Sequence, residues 1–185
     1  KSSTGTAKVL ELTAAGETDC CTENETWSTG WNVHIYQTSS GSNFLLRYAI
    51  NTSQVRIMTL GAGFFGSEIS NTYWSNDDYT HFDSLLISGN PYLFRLGTSG
   101  TVDVLPISAT GILGSSVDSY SVGTGWDLMF AATLDDVPVL YFYDTTSGAY
   151  ELYEVDSGGQ IIGLADSGTQ ESGWTSFLSF QTDVP

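Results

Sequence analysis

The chain has 185 residues with 21 acidic and 5 basic side chains, a formal charge of −16, 41% hydrophobic and 13% aromatic content, 20 Gly and 4 Pro. That length and apolar content suffice for one domain with a sizeable core and exclude a collagenous or disordered composition. The negative charge repels phosphate backbones and anionic lipid heads, which argues against nucleic-acid and membrane partners, and no apolar run approaches the ~20 residues that a bilayer-spanning helix needs.

In chain order, KSSTGTAKVLEL at residues 1–12 matches DTTSGAYELYEV at residues 144–155, so the sequence begins in the middle of a repeat. TDCCTENETW at residues 18–27 then leads to the first of four recurring aromatics, Trp31, Tyr79, Trp126 and Trp174, set at steps of 48, 47 and 48 residues. Three copies of one unit follow, over residues 30–66, 78–114 and 125–163. Each holds an apolar run after the aromatic, a second run (FLLRY, YLFRL, VLYFY), a turn rich in Thr, Ser and Gly, and an alternating third run (VRIMTL, VDVLPI, YELYEV). Alternation and turn spacing predict three strands per copy, and a less regular stretch before the next aromatic predicts an outer fourth. The last segment, SGWTSFLSFQTDVP at residues 172–185, matches the inner-strand region at residues 124–138.

A unit of this length with four short strands is a propeller blade, because one small sheet cannot bury both faces alone. The expectation is an all-β, four-bladed β-propeller in a single domain over residues 1–185. Its repeats cover residues 25–66, 67–114 and 115–163, and a closing blade joins residues 164–185 to residues 1–24. That blade lacks a counterpart of Val139–Tyr143. Residues beyond this sequence, a strand donated by a second chain and a larger shared ring would each fill the gap, and the first is favoured.

Cys20 and Cys21 are neighbours, so a bridge between them forms a strained eight-membered ring; a vicinal disulfide is expected ahead of free thiols. Asn24 and Asn51 head glycosylation sequons. His34 and His81 fall at non-equivalent places and read as packed or surface side chains. Asp77, Asp78, Asp135 and Asp136 read as solvated loop charge. Asp83 and Asp127 are the carboxylates considered for sugar hydrolysis, although they stand four and one residues after their aromatics. Arg47 and Arg95 share one place in FLLRY and YLFRL, which predicts a repeated structural role, pairing with acids of neighbouring blades ahead of recognition of a ligand carboxylate. No phosphate loop, nucleophile elbow or metal motif is present, so the expectation is a protein that is not an enzyme and uses neither cofactor nor metal.

Aromatic surface repeated around an axis suits sugars: a pyranose C–H face stacks on a ring while nearby Asn, Asp, Ser and Thr bond its hydroxyls. The ligand-binding candidates are Trp27, Trp31, Trp74, Asn76, Asp78, Tyr79, Trp126 and Trp174. Trp27 and Trp74 are favoured as exposed platforms, and the repeated ring is favoured as wedges between blades. The phrasing of DYTHFDSLLISGNPYLFRLGTSGTV resembles repeats of secreted lectin-like β-propellers of the tachylectin-like and tectonin-like kind. That resemblance implies a secreted protein binding glycans or glycoconjugates between blades or on the loop face, with self-association open. A glycoside-processing propeller enzyme is the first alternative. The second is a hemopexin-like scaffold with an axial cation near Asp83.

Overall fold

A computed structural model describes residues 6–12, 18–26, 30–61, 64–74 and 78–175, with the first two of these segments as backbone only. The chain forms two compact units, Lys1–Asn76 with Ala109–Ile112, and Asp77–Ser108 with Leu113–Pro185. No helix occurs among the described residues.

In the first unit, β1 (Thr6–Leu12) pairs antiparallel with β2 (Thr18–Thr26). Cys20, Cys21 and Asn24 lie in β2, and their side chains, with the disulfide expectation, fall outside the described residues. A four-stranded meander follows: β3 (Trp31–Gln37), β4 (Asn43–Ala49), β5 (Gln54–Gly61) and β6 (Phe64–Tyr73). β4 reads FLLRY without polar alternation because it is covered on both faces, with Leu46 and Tyr48 fully buried. Asn51 sits exposed in the turn between β4 and β5.

The second unit holds two such meanders. One is β7 (Tyr79–Ile87), β8 (Asn90–Gly97), β9 (Thr101–Pro106) and β10 (Asp118–Ser121). The other is β11 (Leu128–Leu134), β12 (Val137–Tyr143), β13 (Ala149–Val155) and β14 (Ile161–Thr169). Inward side chains of both sheets form one core, with Phe94, Val102, Val104, Leu140 and Phe142 fully buried. Each large apolar side chain so buried stabilises the fold by about 1.5–3 kcal/mol before entropy is counted. Three four-stranded antiparallel sheets joined in sequence make a propeller-like all-β protein. The fourth blade expected from residues 164–185 and 1–24 needs residues outside those described; of that stretch, residues 164–169 belong to β14.

Side-chain pegs join the two sheets of the second unit. Asp83 Oδ2 accepts the Ala131 N–H at 2.7 Å, linking β7 to β11, and Asp118 Oδ2 accepts the Ile161 N–H at 2.7 Å, linking β10 to β14. Strand edges that would otherwise lack a partner are satisfied in this way. The Asp83 oxygens thus serve backbone N–H groups, Ser84 at 2.8 Å on Oδ1 included. Burial chiefly raises the Asp83 carboxyl above its usual range, against the two backbone bonds that pull it down.

A one-residue bulge at Thr80 changes the alignment of the repeats. Tyr79 faces Gly97 and His81 faces Leu96, which leaves Thr80 unpaired. As a result His34, opposite Leu46, has Asp83, opposite Phe94, as its register counterpart, and His81 corresponds to Asn32. A fixed step of 48 residues instead sets His34 against Phe82 and His81 against Val33.

Candidate functional site

The recurring aromatics pack in one way in each sheet. Trp31, Tyr79 and Trp126 each meet the side chain at the fourth place of the runs FLLRY, YLFRL and VLYFY: Arg47 lies 4.6 Å above the Trp31 ring, Arg95 4.0 Å above Tyr79, and Phe142 6.0 Å from Trp126. Replacing Trp by Tyr in the second sheet has a use, since the Tyr79 hydroxyl donates to Asp103 Oδ2 at 2.7 Å. Arg95 donates to the same oxygen from Nε and Nη2 at 3.1 and 2.9 Å, and Ser119 donates to Oδ1 at 2.8 Å. Burial raises the Asp103 carboxyl, but the Tyr79, Ser119 and Arg95 contacts outweigh it and hold the group below its ordinary value. The expected acid partner of Arg95 is therefore in its own sheet, on β9, rather than in a neighbouring blade.

Trp74, Val122 and Gln170 are repeat equivalents in structure. Their N–H groups donate to the carbonyls of Ser53, Gly100 and Gly148 at 2.9, 2.9 and 2.8 Å. The Trp74 ring is half-buried and stacks on Tyr48 with centroids 5.5 Å apart. Trp27 and Asn76 lie outside the described residues. Asp78 is exposed and its carbonyl accepts the Thr98 N–H at 3.1 Å. Tyr79 is buried, and Trp174 is half exposed beside Glu171, Ser172, Gly173 and Thr175. Of these candidates, Trp31 and Trp74 belong to the first unit, and Asp78, Tyr79, Trp126 and Trp174 to the second.

One cleft within the second unit has the form of a ligand site. It opens between the starts of the two inner strands, has a volume of about 320 Å³, and is walled by Thr80, His81, Thr98, Thr124, Trp126 and Asp127. That volume is at the small end of ligand pockets, the scale of one ring-sized group. Backbone conformation shapes it. Gly100 has φ +79°, and a Cβ there would stand 2.2 Å from the Gly123 carbonyl oxygen, while Gly123 and Gly125 have φ of +82° and +99°. Only glycine permits this approach of the turn to the loop before Trp126.

The polar wall is ordered by its own bonds. His81 Nε2 lies 2.5 Å from the Asp127 carbonyl oxygen, which can only accept, so Nε2 carries the proton. Nδ1 is then the acceptor for the Thr80 hydroxyl at 2.9 Å. Burial lowers the His81 pKa more than Asp127 raises it, which keeps the ring neutral. The Trp126 indole N–H donates to the Val122 carbonyl at 3.0 Å, fixing the ring as one wall. Asp127 Oδ2 accepts the Thr145 N–H at 2.9 Å and the Thr145 hydroxyl at 2.6 Å. The Asp144 carboxyl is held low, chiefly by the Ser147 hydroxyl and the Thr146 N–H.

Carboxylate spacing limits the chemistry. A glycosidase pair stands ~5–9.5 Å apart. Asp144 accepts from the Thr146 N–H and the Ser147 hydroxyl of its own turn and does not line the cleft. Asp83 accepts the Ala131 and Ser84 N–H groups and does not line the cleft. Asp127 is thus the one carboxylate among the described residues that lines the cleft. Thr80, Thr98, Thr124 and the glycines were missed as site residues. The GTGW spelling before Trp126 was visible, but its geometry depends on the turn at Gly100 two strands away.

No protein-family model and no curated protein matches the chain. Solved structures do. A protein from Lactobacillus plantarum aligns with 91% of this chain and 50% of its own at 17% identity and a TM-score of 0.63. A putative 6-phosphogluconolactonase from Bacteroides fragilis aligns over 89% and 49% at 13% identity and 0.63. The exo-β-1,3-galactanase of Phanerochaete chrysosporium, solved with β-1,3-galactotriose, aligns over 91% and 44% at 17% identity and 0.57. The chain spans about half the length of these structures, and identities this low show shared fold alone. They correct the expectation that the protein is not an enzyme: proteins of this fold bear the names of sugar-acting enzymes, and a catalytic carboxylate on a propeller loop needs no sequence motif. The chain therefore shares a propeller-like all-β fold with carbohydrate-active proteins.

Proposed function

We propose that the protein is a carbohydrate-processing propeller that seats a sugar ring against Trp126 in the cleft of the second unit. The observation carrying this reading is the cleft itself: one fixed indole wall facing a rim of Thr80, Thr98, Thr124 and Asp127. An apolar ring face and a polar edge are the two surfaces a pyranose presents. Recognition is lectin-like in its contacts. Asp127 supplies one carboxylate for turnover, with Oδ2 anchored by Thr145. The galactanase likeness supports a glycoside as the substrate. An extracellular setting fits the acidic, lysine-poor composition and the exposed Asn51 sequon.

Calorimetric titration with galactose, glucose and β-1,3-linked galactooligosaccharides, paired with a reducing-sugar assay, tests the reading. Binding should weaken at least tenfold in Trp126→Ala, and sugar release should be lost in Asp127→Asn. Absence of saccharide binding, or binding equal in wild type and Trp126→Ala, would overturn it.

A further inference from the structure

We infer that the Trp126 cleft selects uncharged or amino sugars and refuses sugars bearing a phosphate or carboxylate. This rests on the proposed sugar site and adds the substrate class. The second unit carries fifteen carboxylate side chains and one guanidinium, that of Arg95. Arg95 is not available to an incoming anion, because it is committed to Asp103 and to the Tyr79 ring.

No Lys or Arg lines the cleft among the described residues. His81 is the remaining group there that could turn positive. Its Nε2–H is engaged with the Asp127 carbonyl and its Nδ1 with the Thr80 hydroxyl, so a charge on the ring would not face the cleft with a free donor. Phosphate and carboxylate recognition uses charge-assisted donors, and this cleft offers hydroxyls and a carboxylate instead. Asp127 places negative charge at the rim. Within a Debye length of ~8 Å at physiological salt, that charge repels an anionic substituent and attracts an ammonium group.

A matched series separates this inference from the reading beneath it. In both the galacto and gluco configurations, the parent sugar, its 2-amino, its uronate and its 6-phosphate forms are titrated into the whole chain at low and high NaCl. Uronate and phosphate should bind at least tenfold more weakly than the parent, the amino sugar as tightly or more tightly, and the differences should shrink at high salt. In Asp127→Asn the ratio of amino-sugar affinity to parent affinity should narrow. An anionic sugar that binds as tightly as its parent would overturn the selectivity and leave the sugar site standing. Failure of every sugar in both series would overturn both.

Discussion

The Arg95 guanidinium lies 4.0 Å above the Tyr79 ring while both side chains donate to Asp103 Oδ2. A stacked pair with a common acceptor fixes the start of β7, from which the Thr80 bulge turns His81 toward β11. The ring at this place is thus part of the frame of the cleft. Its hydroxyl matters as much as its face.

Tyr79→Phe keeps the ring and removes one donor from a carboxylate, which costs about 1.5–3 kcal/mol. It also affects acid stability. Asp103 is depressed in the folded state, so its contribution is present above the ordinary Asp range and is lost as pH falls through the lowered folded value. Removing the Tyr79 bond raises the folded value, and the acid unfolding midpoint should move to higher pH in circular dichroism titrations.

His34 has a signature of the same sign at higher pH. Burial lowers its pKa to about 4, whereas the unfolded side chain titrates near ~6.5. Between those values the unfolded chain takes up a proton that the folded chain does not, so stability should fall as pH drops from ~6.5 to ~4, by up to about 1.4 kcal/mol per pH unit. Urea unfolding of His34→Gln across this window should show a flatter profile than wild type.

Gly100 and Gly148 are repeat equivalents with φ of +79° and +77°, and a Cβ on either would stand 2.2 Å from a carbonyl oxygen. Either Gly→Ala change should destabilise the fold by roughly 1–3 kcal/mol through backbone strain. Only Gly100→Ala touches the cleft loop. Thermal melts should show similar losses in both variants, and saccharide titration should show weakened binding in Gly100→Ala alone.

Trp74 stacks on Tyr48, and its repeat counterpart Val122 is buried. Trp74→Ala should therefore cost about 3 kcal/mol or less of stability, limited by the half-buried site, and leave sugar affinity unchanged. Trp126→Ala should lower affinity at least tenfold. Calorimetry of the two variants side by side checks both outcomes.

Much of the scaffold was legible because it is written in periods. The alternating run YELYEV at β13 and the doubly buried runs FLLRY and YLFRL gave strands where strands occur. The site was less legible, and the reasons are local. The extra residue at Thr80 shifts His81 and Asp83 by one place relative to a fixed step, which hid the equivalence of Asp83 with His34. Arg47 and Arg95 share one place in FLLRY and YLFRL, but their contacts with Trp31 and Tyr79 follow only from the strand register. The cleft itself depends on left-handed glycines at residues 100, 123 and 125, whose approach links segments far apart in sequence.

The most direct test of the sugar seat is an amide and indole NMR titration of the isotopically labelled chain with the tightest-binding neutral sugar. The account predicts saturable shifts of the Trp126 indole N–H and of the Gly123, Gly125 and Asp127 amides, with the Trp74 indole unmoved. Saturable shifts confined to Trp74 or Trp174, with the Trp126 loop silent, would contradict it.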